Sequence, residues 1–83
     1  MSLYFVKSGK YRVKELNCGL KMQKRLENLG FSLDSIVRKL QSSQFNHRRE
    51  YITEMGKISL GRTLANSIIV EKVERNGKRI KKS

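Results

Sequence analysis

The sequence predicts a mainly β domain, about five short strands curled into a small barrel, with one or two short helices. Three observations carry that expectation. The chain has 83 residues, enough for a single domain with a thin core. Most of its apolar residues fall in short runs of period-two or β-branched character, separated by turn residues. One stretch, Gly19 to Leu40, instead spaces Met22, Leu26 and Leu29 at i, i+4 and i+7, which is one face of a helix. Short strands joined by tight turns expose much edge as a flat sheet, and curling removes most of it.

Taken in order, Met1 to Val6 carries Leu3, Tyr4, Phe5 and Val6 ahead of Ser8-Gly9 and should pack as an edge segment or N-terminal flap. Lys10 to Leu16 sets Tyr11 and Val13 against Arg12 and Lys14, a strand with one buried face. Asn17-Cys18-Gly19 breaks it, with Asn17 a candidate N-cap. The helix that follows shows Lys21, Lys24, Arg25 and Asn28 on its outer side. It stops at Leu29-Gly30, where glycine accepts the left-handed cap conformation and Phe31 can fold back onto Leu26. Ser32 to Ser35 reads as a turn, and Ile36 to Leu40 as a strand with Ile36, Val37 and Leu40 as its apolar residues. Gln41 to Arg49 is polar and aperiodic, a loop or loose strand extension. Tyr51 to Glu54 is a short strand, Met55-Gly56-Lys57 a hairpin turn, and Ile58 and Leu60 belong to the returning strand. Arg62 to Asn66 makes a helical turn with Leu64 and Ala65 inward, and the β-branched run Ile68 to Val73 closes the domain. Residues 74–83, with a turn at Asn76-Gly77, form a basic tail with too little apolar content to be held down, so the folded domain is residues 1–73.

Charge bounds the partners. Nineteen Lys and Arg against seven Asp and Glu give a net +12, of which the tail holds +4 and the body +8. Such a balance suits a polyanion: nucleic acid, an anionic membrane surface or an acidic protein. The chemistry for catalysis is thin. Cys18 and His47 lie far apart, short of the four ligands a closed zinc site takes. The carboxylates are scattered, and no phosphate-binding glycine motif occurs. Cys18 reads as a small corner residue, and His47 as an exposed loop histidine beside two arginines. We therefore expect no catalytic residues, no metal site and no cofactor. A lone cysteine excludes an internal disulfide, no apolar run is long enough to span a membrane, and no signal peptide is recognisable, which points to the cytoplasm.

Two basic surfaces remain as partner-binding candidates: Lys21, Lys24 and Arg25 on the helix, and Arg48 and Arg49 as a second patch. A different reading is a small basic nucleic-acid-binding β-barrel, with Phe45 and Tyr51 flanking the two arginines as a stacking platform. Tyr11 and Phe31 are assigned to the core.

The segment Gln23 to Phe31 (QKRLENLGF) followed by Leu60 to Glu71 (LGRTLANSIIVE) resembles ferrous iron transport protein A, the FeoA family. The shared features are Leu29-Gly30-Phe31 after the helix, Leu60-Gly61-Arg62, Ala65, and Ile68-Ile69-Val70. Two departures stand out: the post-helix turn Ser32-Leu33-Asp34-Ser35 has no proline, and Lys39 occupies a strand position that is usually apolar. The resemblance implies an SH3-like barrel in the bacterial cytoplasm. It also implies an accessory role in ferrous iron uptake, acting on the membrane transporter FeoB at its cytosolic GTP-binding region. Membrane contact would then be indirect, through recruitment by that partner. Exposed apolar residues in Met1 to Val6 also permit self-association.

Overall fold

The computed structural model describes residues 1–41 and 48–73. Phe45, His47 and the tail 74–83, to which the sequence assigned roles, lie outside the described residues. The elements run β1 (Gly9–Leu16), α1 (Leu20–Asn28), β2 (Ile36–Lys39), β3 (Arg49–Thr53), β4 (Gly56–Leu60), α2 (Arg62–Asn66) and β5 (Ile68–Lys72). The strands form one five-stranded antiparallel sheet in the order β4-β3-β2-β1-β5. This is the mainly β, SH3-like architecture expected. The ladder itself stays open, because β4 and β5 are its two edges. The connection between them is α2, which seats Ala65 in the core rather than pairing the edges.

Alternation selects the inner face. Tyr11 and Val13 of β1, Val37 of β2, Tyr51 of β3, Leu60 of β4 and Ile68 and Val70 of β5 are all buried in one cluster. A register shift between Val13 and Glu15 bends β1 against β5. On β2 the apolar residues of the sequence are Ile36, Val37 and Leu40, and the strand's inward pair is not Ile36 and Leu40. The structure buries Val37 and Lys39 instead and leaves Ile36 exposed, since Val37 faces Tyr11 and Lys39 faces Tyr51 across the ladders. The hairpin also differs by one residue: Thr53 pairs with Gly56, so the turn is Glu54-Met55 and Gly56 begins β4 at φ 111°.

The helix ends as its sequence foretells. Gly30 has φ 100°, its N–H donates to the Glu27 carbonyl at 3.1 Å, and the Phe31 N–H donates to Leu26 at 2.9 Å. Those two bonds are the paired closure of a Schellman cap. Phe31 then enters the core and meets Tyr51 edge-on, with ring centroids 5.9 Å apart, a geometry worth about 0.5–1.5 kcal/mol beyond simple burial. The helix start departs from expectation. Gly19, not Asn17, is the N-cap, and no side chain caps it. Gln23 holds this end instead, its Nε2 donating to the Cys18 carbonyl at 2.9 Å. Cys18 itself is half-buried against the core at the strand-to-helix corner.

Helix and hairpin lock together at Gly30. The Thr53 hydroxyl donates to the Leu29 carbonyl at 2.6 Å, and a Cβ on Gly30 would lie 2.6 Å from the Thr53 Cβ. Gly56 has the same sign of φ but nothing within 4 Å of its missing Cβ. Gly30→Ala should therefore cost more than Gly56→Ala, about 3 kcal/mol against about 1 kcal/mol, since only the first adds collision to backbone strain. Urea unfolding of both variants measures the difference.

Candidate functional site

Two basic surfaces are built differently. On α1, only Leu26 is fully buried, while Lys21, Lys24 and Arg25 are all exposed on the outer side. Their charges stand in solvent, where they can steer a partner but organise little locally.

The second surface grows out of the inner face of the sheet. Lys39 and Tyr51 are direct cross-strand partners, and Arg49 lies two residues before Tyr51, hence on the same side. Lys39 is only 4 % exposed. Its Nζ donates to the carbonyls of Tyr4 at 2.5 Å and Val6 at 2.8 Å. Burial, and then repulsion from Arg49, push its pKa below the ordinary lysine value. The ammonium thus fastens the N-terminal segment over the sheet. Further bonds support it: Leu3 N–H to the Ile68 carbonyl at 2.9 Å, and Val70 N–H to the Met1 carbonyl at 2.7 Å. Leu3 and Tyr4 are buried as a result, so this segment is a packed part of the core.

Tyr4 becomes the centre of a cation cluster. The Arg49 guanidinium carbon lies 4.7 Å from its ring centroid, Lys39 Nζ 5.8 Å and the Arg62 guanidinium carbon 5.8 Å. Contacts of this kind are each worth about 0.5–2 kcal/mol, depending on desolvation. Arg48 is turned toward β4, its Nε donating to the Ser59 hydroxyl and its Nη2 to the Ser59 carbonyl, each at 3.0 Å. Beside Tyr4 a cleft is lined by Lys7, Ser8, Lys39, Gln41 and Arg49, with no carboxylate in its described lining. An apolar groove that shares Phe5, Val6 and Lys7 with this cleft also takes in Met1, Tyr11 and Lys72.

Of the sequence-assigned residues, the structure keeps Lys21, Lys24 and Arg25 together on one helix and sends Arg48 and Arg49 to β4 and Tyr4 respectively. Tyr51 cannot serve as a stacking platform, because it is wholly buried against Phe31. The cluster of Lys39, Arg62 and Tyr4 was not foreseen. Its one legible signal was Lys39 itself, a charge at an otherwise apolar strand position. Among the described residues, no three His, Cys, Asp or Glu side chains converge as a metal site would require, and no helix is long and apolar enough to cross a membrane.

A family model described as the FeoA domain matches residues 1–72. Comparison with curated proteins gives no match. Among solved structures, the chain superposes on ScaR with bound Zn2+ at TM-score 0.79 and 24% identity, covering 88% of this chain and 37% of that one. It also superposes on the FeoA protein from Chlorobium tepidum at TM-score 0.78 and 19% identity, over 89% of this chain and 71% of the other. An iron uptake regulatory protein, FeoA, gives TM-score 0.77 at 19% identity, over 88% and 97%. At these identities the likeness to each is one of fold. The chain spans little more than a third of the ScaR chain, which is a manganese-activated repressor.

Two substitutions test the inner-face geometry. Lys39→Met removes the ammonium but keeps the bulk, so the Leu3 and Val70 amides should exchange at least about tenfold faster while β1–β3 amides stay protected. Tyr51→Phe should stabilise the fold by about 1 kcal/mol, because its hydroxyl is buried with no hydrogen-bond partner among the described residues. Burial raises the Tyr51 pKa well above the phenol range, with Arg49 opposing and Tyr4 adding to the shift. The unfolded phenol therefore ionises first. Its stabilising contribution is complete below about pH 10 and declines as pH climbs toward the folded value. Unfolding followed across that range should show the decline in the parent protein and less of it in Tyr51→Phe.

Proposed function

Since the chain belongs to the FeoA family, with residues 1–72 matched, we propose that it is a non-catalytic accessory protein of ferrous iron uptake. It acts in the cytoplasm by docking on the cytosolic part of a FeoB-type transporter. Family membership is the observation that carries the iron-uptake role. The docking surface rests on the geometry of α1, whose bases Lys21, Lys24 and Arg25 stand together on one exposed face.

The mechanism is differential binding. A module of this size, without a described cluster of ligating or catalytic groups, changes a partner by favouring the conformational state it binds better. Exposed lysines and arginines contribute mainly through encounter rate and salt-dependent attraction. Arg48 and Arg49 form a second basic contact, and the partner would bring the module to the inner face of the membrane. The apolar groove around Met1 and Phe5 gives self-association a surface, although a net charge of +12 opposes close approach of two copies.

Reversing Lys21, Lys24 and Arg25 to Glu should slow association with the cytosolic part of the transporter at least about tenfold and flatten its salt dependence. Biolayer interferometry at two salt concentrations reads both effects. Unchanged association would remove α1 as the docking surface.

A further inference from the structure

We propose that the outer face of the sheet, around Lys10, Ile36, Arg38 and Ile52, seats an acidic amphipathic segment of a protein partner. Strand pairing builds this surface. Lys10, Arg38, Ile52 and Lys57 stand opposite one another in turn across β1, β2, β3 and β4, and Ile36 faces Arg12 one step along. All of them alternate with inward-facing residues, so they share the side turned away from the core.

Two observations set this face apart from ordinary solvated sheet. First, Lys10 and Arg38 are like charges in direct opposition, an arrangement that weakens a ladder. The Lys10 carbonyl accepts the Val73 N–H on the β5 side. Toward β2 the two residues are therefore a non-hydrogen-bonded pair, the kind in which Cα atoms lie about 4.5 Å apart and side chains stand closest. Neither side chain makes an ion pair or a hydrogen bond among the described residues. The carboxylates one ladder step away are engaged, Glu71 with Arg12 at 3.5 Å and Glu50 with Lys57 at 3.6 Å. Second, Ile36 and Ile52 are 41% and 39% exposed on strands interior to the sheet. Both border Arg38, Ile52 from directly opposite and Ile36 from two residues before.

The mixture selects the partner. Carboxylates on an incoming segment relieve the repulsion of Lys10 and Arg38, the guanidinium accepting them in its fork geometry. Aliphatic side chains beside those carboxylates cover the two isoleucines, giving an apolar centre with charges around it. Nucleic acid uses aromatic platforms, and the described aromatic side chains lie in the core or the N-terminal segment. A bilayer takes large protruding side chains, and Phe5, the most exposed of the described aromatics, lines the groove with Tyr11 instead. The inference deepens the docking reading and rests on it: α1 supplies attraction at a distance, and the sheet face supplies the fitted contact that sets how long the partner stays.

The test follows the full chain binding a FeoB-type transporter in nanodiscs of neutral lipid, by biolayer interferometry. Arg38→Glu should speed dissociation at least about tenfold. Its thermal midpoint should be no lower than the parent's, because the substitution turns a repulsive pair into an attractive one. Ile36→Thr combined with Ile52→Thr keeps β-branched side chains on the strands and should speed dissociation at least about fivefold, with salt dependence unchanged. Lys57→Gln, whose charge is already shared with Glu50, should stay within about twofold. Empty phosphatidylglycerol nanodiscs and a single-stranded oligonucleotide are run alongside, and neither should bind in a way that depends on Arg38. Dissociation unmoved by Arg38→Glu and by the isoleucine double, or moved as much by Lys57→Gln, would overturn the sheet face and leave transporter docking standing. A lower midpoint for Arg38→Glu would overturn the repulsive pair on which the site is built. Arg38-dependent binding to the lipid or the oligonucleotide alone would overturn the choice of partner. No binding of the parent chain to the transporter would overturn this inference together with the docking reading.

Discussion

One buried ammonium shapes the exposed half of this molecule. Lys39 lies on the inner face of β2, where its neighbour two residues earlier, Val37, is an ordinary core residue. Removing a charge from water is costly unless hydrogen bonds replace the lost hydration. Here the replacements are the Tyr4 and Val6 carbonyls. Both belong to the segment preceding the first strand, which is also held by the backbone bonds of Leu3 and Val70 and by the burial of Leu3 and Tyr4. Charge burial and segment docking thus support each other. Placing Tyr4 above the sheet then gives Arg49 and Arg62 a ring to face.

The packing below that point follows more ordinary rules. A chain of this length buries a modest share of its surface, so each large core residue matters. Phe31 and Tyr51 meet edge-on, Gly30 permits the contact by turning left-handed, and Thr53 ties the helix end to the hairpin. These interactions depend on each other. The cap positions Phe31, Phe31 packs on Tyr51, and Tyr51 fixes the strand that carries Arg49.

Much of this was legible in the sequence. The helix stop at Gly30, the inward turn of Phe31, the α2 turn over Arg62–Asn66 and the alternation of β1 all emerged from local signals. What escaped was set by pairing. On β2, Ile36, Val37 and Leu40 offer apolar residues on both parities, and only register against Tyr11 and Tyr51 decides that Val37 and Lys39 face inward. Lys39 stands out in the sequence only as a charge at a usually apolar strand position, and the carbonyls that let it be buried come from a distant segment. The candidate site was legible only in pieces for the same reason. Lys21, Lys24 and Arg25 share a helix face that periodicity reveals, whereas Lys39, Arg49 and Arg62 come from separate elements and meet only after folding.

The two basic surfaces also differ in what they cost the fold. Exposed charges on α1 are nearly free, being solvated and screened, and they can serve long-range attraction without disturbing the core. The inner cluster is another matter. It holds a buried ammonium, like charges around one ring and a hydroxyl with no described partner, all in a domain with little stability to spare. Elsewhere the described residues mostly obey local rules: apolar residues on inward strand positions, a two-residue hairpin turn, and glycine at positive φ except for Asp34. Departures concentrated in one place, against a background of compliance, are where a fold gives up stability for binding. That contrast separates a surface the fold carries at almost no cost from one it holds against its own stability.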